Sequence, residues 1–201
     1  MESSKKLLMY GGAFDPPHLG HLRLLEQAVK EVKPDLTLVI PTGVSPHKKR
    51  SGTPYWMRFD MAKKTFLPLS DTVRISALES KGRRNYTIQT VKALMKRYPG
   101  YEIYLLIGSD MLTSFHTWHL SRRILSRVTL VAGSRDDASL DEFRKAAERL
   151  EKLGGKIRLL QFRPLEISST ELRNGLKTGA DMSSYLAQEV LDYINRKGLY
   201  R

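Results

Sequence analysis

LLMYGGAFDPPHLGHLRLLEQAV, residues 7–29, contains the turn on which the fold depends. Its first four residues are apolar and read as a strand, whereas Leu22, Leu25 and Val29, followed by Val32, recur at helical spacing and mark one face of a helix. Between the two, Gly11 and Gly12 let the backbone turn sharply and come close to a ligand. Pro16 and Pro17 stiffen the connection, and the helix is expected to start near His18.

Outward from this turn the same alternation repeats. Apolar, β-branched runs at 36–40, 73–78, 102–107, 128–132 and 157–162 read as further strands. Val91, Leu94 and Met95 mark a second helical face, and Phe143, Ala147 and Leu150 a third. Strands alternating with helices specify an α/β fold, a Rossmann-like open parallel sheet with helices on both faces, whose ligands bind beyond the carboxyl ends of the strands. After Ile167 the pattern turns helical, and SSTELRNGLKTG and SSYLAQEVLDYINRKG predict a short helical C-terminal part. No repeat or linker interrupts the 201 residues, so one domain over 1–201 is expected.

Composition narrows the chemistry. With no cysteine, the chain has no disulfide, thiolate zinc site or cysteine nucleophile, which suits a reducing compartment. No run approaches a membrane span and the first residues lack the apolar core of a signal peptide, so a cytoplasmic protein is expected. The formal charge of +13 favours anionic partners. Its basic residues are scattered in short groups, among them Lys63 with Lys64 and Arg122 with Arg123, and most are expected on solvated surface.

His18 and His21 are three apart, which puts both imidazoles on one side of the first helical turn, where unpaired N–H groups and the helix dipole attract anions. Gly20 removes a side chain that would crowd a nucleotide. A zinc site is the rival reading, but catalytic zinc takes three protein ligands and no HExxH pattern is present. Phosphate binding is therefore preferred, and no protein-held metal is expected. A second helix start lies in EISSTELRNGL, residues 166–176, where Ser168 and Glu171 have capping-box spacing. Ser169 and Thr170 add hydroxyls, and Arg173 adds a guanidinium fork suited to phosphate oxygens.

GGAFDPPHLGH at 11–21 resembles the GGxFxPxHxGH signature of the nucleotidyltransferase superfamily, and ISSTELR at 167–173 resembles its ISSTxIR motif. Ala13 stands where the family often carries threonine or serine, leaving any contact there to the backbone N–H, and Leu172 replaces the usual isoleucine. In the middle of the chain, NYTIQT at 85–90, GSDMLTSFHTW at 108–118 and PTGVSPHKKR at 41–50 resemble stretches of bacterial nicotinate-nucleotide adenylyltransferases, as does the terminal YINRKGLYR. The likeness spans Gly11 to Arg201.

That resemblance implies ATP and nicotinate mononucleotide as substrates, with Mg²⁺ accompanying ATP. It implies catalytic roles for His18, His21 and Arg173, and ATP or phosphate contacts from Gly11, Gly12, Ala13, Phe14, Gly20, His47, Lys48, Gly108, Asp110, Ser168, Ser169 and Thr170. Trp118 would stack on the pyridine ring, with Tyr86 and Thr87 beside its carboxylate. A flat heteroaromatic does need an aromatic face, and a carboxylate finds N–H donors at a helix start. Taken singly, Trp118 reads equally well as a core residue, Tyr86 and Thr87 as a helix start, and Asp110 as a cap.

Rival acceptors are phosphopantetheine, which gives no reason for YTIQT together with FHTW, and nicotinamide mononucleotide, which differs from nicotinate mononucleotide in the few donors that choose between carboxylate and carboxamide. A basic nucleic-acid-binding module would exploit the charge, but no helix-turn-helix, zinc-finger or RNP-like pattern is present, so no specific nucleic acid is expected. The oligomeric state is left open, with a homo-oligomer among the states allowed.

Overall fold

The computed structural model describes residues 4–44, 52–81, 85–133, 140–161 and 165–201. The strands are β1 (Lys5–Gly12), β2 (Leu36–Pro41), β3 (Val73–Ile75), β4 (Tyr101–Gly108), β5 (Val128–Gly133) and β6 (Lys156–Leu160). They form one sheet in the order β3-β2-β1-β4-β5-β6, and every neighbouring pair is parallel. This is the doubly wound order, and the direction of winding reverses between β1 and β4. The eight α-helices among the described residues are α1 (Leu19–Val32), α2 (Tyr55–Phe66), α3 (Thr87–Arg97), α4 (Ser109–Thr113), α5 (Ser121–Leu125), α6 (Leu140–Lys152), α7 (Ser169–Lys177) and α8 (Gln188–Lys197).

Alternation along the strands builds a core on each face. Leu7 and Met9 point to one side with Ile103, Leu105 and Ile107, where Val91 and Leu94 of α3 and Phe143, Ala147 and Leu150 of α6 cover them. Leu8 and Tyr10 point to the other with Tyr104 and Leu106, under Leu25, Ala28 and Val32 of α1 and Ala62 and Phe66 of α2. Strands buried on both faces are near-continuous apolar runs, which is how they are visible in the sequence. A third core joins Met61 of α2 to Leu172 of α7 and to Val190, Tyr193 and Ile194 of α8, fixing the C-terminal helices beside the sheet. No helix among the described residues is long and apolar enough to cross a membrane.

Three expectations are corrected. The third strand stops at Ile75 rather than 78: Ser76 N–H still reaches the Val39 carbonyl at 2.8 Å, but its hydroxyl then accepts from Leu78 N–H at 3.3 Å and the chain leaves the sheet. Met95 is 44% exposed, because the face of α3 that meets the sheet runs through Ile88, Val91 and Leu94. The stretch 183–198 is divided, with a 3₁₀ turn at Ser183–Tyr185 ahead of α8. The last strand ends at Leu160, and residue 162 of its expected range lies outside the described residues.

Candidate active site

The ends of β1 and β4 lie side by side where the sheet order reverses. A Cβ placed on Gly11 or on Gly108 would meet no described atom within 4 Å, so the backbone at both strand ends borders open space. Immediately beyond Gly12 the chain packs tightly. Phe14 adopts φ 49°, in the left-handed region that disfavours side chains, and its ring is buried against Tyr10, His21 and Phe66 at centroid distances of 5.3, 5.3 and 5.2 Å. The Phe14 side chain thus belongs to the core. A Cβ on Gly12 would come 2.8 Å from that ring, which accounts for the second glycine.

His18 is the N-cap of α1, as the spacing predicts, but the cap itself is unusual. His21 N–H donates to His18 Nδ1 and His18 N–H donates to His21 Nδ1, both at 3.3 Å. The two imidazoles perform the reciprocal exchange that serine and glutamate perform in an ordinary capping box. Their rings lie 3.6 Å apart. With both Nδ1 atoms accepting, the proton of each neutral ring sits on Nε2, so the pair presents N–H edges. The first turn of α1 has no acidic residue to offset its positive end.

Gly20 serves this cap more directly than expected. A Cβ there would lie 3.0 Å from His18 Nδ1 and 3.0 Å from the Leu165 carbonyl oxygen, so the glycine makes room for His18 and for the 165 segment.

The second motif is drawn onto the first. Ser168 caps α7: its hydroxyl accepts from Glu171 N–H at 3.2 Å, and Glu171 Oε2 accepts from Ser168 N–H at 2.8 Å. Ser169 Oγ donates to the Pro16 carbonyl at 2.9 Å, and Arg173 Nη1 donates to the Asp15 carbonyl at 2.7 Å, across 153 and 158 residues of sequence. The other arm of Arg173 donates to Thr170 Oγ1 at 3.1 Å. His18, His21, Ser169, Thr170 and Arg173 therefore gather at the β1–α1 loop, beyond the carboxyl edge of the sheet.

Sequence reasoning missed the residue that organises the loop from beneath. Arg58 of α2 is 2% exposed and donates to three backbone carbonyls, Ala13 at 2.6 Å, Thr53 at 3.3 Å and Gly43 at 3.4 Å. Burial pulls its pKa down, opposed by the Asp15 carboxylate. The only sequence signal was an arginine amid the apolar face Phe59, Met61, Ala62 and Phe66. Asp15 is itself buried and accepts from Tyr200 Oη at 2.6 Å.

On the far side of β4, Gly108 is the N-cap of α4 and Asp110 stands exposed in its first turn. Tyr86 caps α3, with its N–H donating to Gln89 Oε1 at 3.2 Å, and Thr87 begins the helix. Trp118 is half-buried, its ring 4.9 Å from Phe115. The next residue, His119, lies 4.5 Å from the Tyr86 ring, which ties Trp118 and Tyr86 to one neighbourhood; His119 is a second residue that sequence reasoning passed over.

Glu79, a third, is 6% exposed and accepts from Thr90 Oγ1 at 2.7 Å. Burial raises its pKa, partly offset by Thr90, the Gly43 N–H and Asn85. A Cβ on Gly43 would overlap the Glu79 carbonyl oxygen, so the segments that follow β2 and β3 touch here through bare backbone. His47 and Lys48 lie outside the described residues. Among the described residues, no group of three or more His, Asp or Glu could hold a metal ion.

The chain matches the cytidylyltransferase-like family model over residues 9–175. A probable nicotinate-nucleotide adenylyltransferase of Clostridium tetani is 32% identical over 98% of this chain and 100% of its own. One of Shouchella clausii is 33% identical over 98% of this chain and 97% of its own. A solved Plasmodium falciparum nicotinic acid mononucleotide adenylyltransferase, complexed with NaAD, shares the fold at a TM-score of 0.81 and 22% identity, covering 98% of this chain and 97% of that one. Full-length similarity of this degree places the chain, a cytidylyltransferase-like protein, in the nicotinate-nucleotide adenylyltransferase family.

Proposed function

We propose that the chain transfers the adenylyl group of ATP to nicotinate mononucleotide, forming nicotinate adenine dinucleotide and pyrophosphate, as a single nucleotidyltransferase domain. The observation that carries this reading is the meeting of the histidine cap of α1 with Arg173 of α7 on one loop, at the point where the sheet order reverses. The acceptor follows from the family to which the chain belongs.

In this reaction a phosphate oxygen of nicotinate mononucleotide attacks the α-phosphorus of ATP in line. The bond from that phosphorus to the bridging oxygen breaks, and the electron pair leaves on pyrophosphate. No protein nucleophile is required. The chain's part is to position the two nucleotides and offset charge that develops on the phosphates. His18 and His21 would donate from Nε2–H, Arg173 would supply a fixed positive charge, and the N–H groups opening α1 would face the triphosphate. Tyr86, Thr87 and Trp118 would receive the pyridine ring, while Gly108 and Asp110 would border the nucleotide at the end of β4.

Mg²⁺ fits this site as a companion of ATP. The described residues offer no acidic cage, so phosphate oxygens and water would be its ligands, and when bound it supplies charge neutralisation on the phosphates. The reading puts the enzyme in the cytoplasm, a reducing compartment that suits a chain without cysteine.

The test is pyrophosphate release from ATP and Mg²⁺ with nicotinate mononucleotide, nicotinamide mononucleotide or phosphopantetheine offered separately. Strong preference for the first is expected. Turnover with only another acceptor would overturn the assignment of Tyr86, Thr87 and Trp118, and no turnover with any would overturn the reaction.

A further inference from the structure

Asp15 is the one acidic side chain in the stretch GGAFDPPHLGH, and it lies in the loop that carries His18 and His21. A carboxylate there, turned toward a bound triphosphate, would repel it. Instead it is 7% exposed, and its Oδ1 accepts a hydrogen bond of 2.6 Å from Tyr200, which is 185 residues away in sequence. That length lies at the short end of the range for O–H···O hydrogen bonds. The Tyr200 hydroxyl also bonds the Thr53 side chain, and the Arg173 guanidinium lies close enough to act on it electrostatically. Burial and the neighbouring carboxylate hold the phenol well above its ordinary pKa, so it remains a donor.

Two further observations place Tyr200 in this position by more than chance packing. Its backbone has φ 62°, a conformation a tyrosine adopts at a cost and keeps only where its surroundings compensate. It follows Gly198, which ends α8 in the left-handed conformation, and Leu199, which packs on the third core. The segment after α8 is thus led back toward the β1–α1 loop. There the Asp15 carbonyl accepts from Arg173 while the Asp15 carboxylate accepts from Tyr200, so both polar ends of one residue are occupied.

We propose that Tyr200 is a positioning residue for the phosphate loop: its hydroxyl holds the Asp15 carboxylate turned inward, away from the triphosphate, so that the loop presents only donors to ATP. Tyr200 touches no substrate in this account and acts through Asp15. The inference rests on the adenylyl-transfer reading and adds to it a residue specific to the ATP side of the reaction.

The test uses the full chain with ATP, Mg²⁺ and nicotinate mononucleotide. Tyr200→Phe is expected to raise KM for ATP by about fivefold to tenfold while KM for nicotinate mononucleotide changes by less than about twofold. In an Asp15→Asn background, where the charge is gone, Tyr200→Phe should add no further increase in KM for ATP. Parallel increases in both KM values would assign Tyr200 a general structural role and overturn the proposal. Additive effects of the two substitutions, or unchanged kinetics in Tyr200→Phe, would also overturn it while leaving the adenylyl-transfer reading intact. Failure of the parent chain to release pyrophosphate with any pyridine mononucleotide would instead overturn that reading, and this inference with it.

Discussion

A methyl group on Gly20 would come within 3.0 Å of both His18 Nδ1 and the Leu165 carbonyl oxygen. The carbonyl is backbone and gives little, so the imidazole must move, and with it the reciprocal cap formed with His21. Misplacing a group that stabilises a transition state by about 1 Å costs on the order of 100-fold in rate, and a contact of 3.0 Å asks the ring to give by only a few tenths of that distance. Gly20→Ala is therefore expected to lower kcat by roughly threefold to tenfold with KM values little changed, as measured by steady-state pyrophosphate release. A kcat near the parent value would mean that His18 is not set by this contact. Trp118 tests the other substrate. Its ring is half-buried on Phe115 and offers an aromatic face next to the Tyr86 neighbourhood. Loss of one stacking partner corresponds to roughly tenfold in binding. Trp118→Ala should raise KM for nicotinate mononucleotide by about that factor and spare KM for ATP. Equal weakening of both substrates would make Trp118 a packing residue.

Glu79 joins three elements: it follows β3, touches Gly43 beyond β2, and accepts from Thr90 in the first part of α3. Its folded pKa is raised above the ordinary 4.5, chiefly because burial disfavours the charged form. The folded chain therefore binds this proton more tightly than the unfolded chain does. The contribution of Glu79 to stability is greatest below its unfolded pKa and declines as pH rises through its folded pKa. Glu79→Gln keeps an acceptor for Thr90 and removes the titration. The melting temperature of the variant minus that of the parent should thus increase between about pH 4 and pH 8, and a difference that is flat or decreases would contradict it.

The same elements mark what could be read from the chain. β1, β2, β4 and β5 are apolar runs buried on both faces, and the caps of α1 and α7 have short-range spacing, so both were legible. α2 was not singled out because its buried face includes Arg58 and its exposed side includes Trp56, which blurs the apolar stripe. Arg58 and Tyr200 escaped because Arg58 bonds backbone carbonyls and Tyr200 meets its partner across 185 residues, neither of which spacing reveals. The role of Gly20 depends on the Leu165 carbonyl, equally invisible in a local motif.

At the scale of the whole molecule, the charge of +13 is not balanced by internal pairing. The ion pairs among the described residues are Lys30–Glu26, Lys63–Asp60 and Lys64–Glu189, at 3.0, 3.7 and 3.9 Å. All three are substantially solvated and so add little to stability, a conclusion that follows from screening rather than from their number. The unneutralised charge acts instead as a field around the molecule. Both proposed substrates are anions, so this field should raise their encounter rate with the open strand ends at Gly11 and Gly108. In the proposed reaction, once the nucleotides are seated, the short-range groups His18, His21 and Arg173 would dominate and be shielded from salt. The Debye length contracts from about 10 Å at 0.1 M to about 3 Å at 1 M, so salt attenuates the long-range field far more than contacts within the site. With free Mg²⁺ held constant, kcat/KM for ATP should fall by about tenfold between roughly 0.05 and 0.5 M KCl, while kcat stays within about twofold. A parallel fall in kcat would place the salt-sensitive interaction in the transition state. Insensitivity of both would mean that the positive charge lies on faces too remote to steer the substrates, and the excess of lysine and arginine would then serve something other than this reaction.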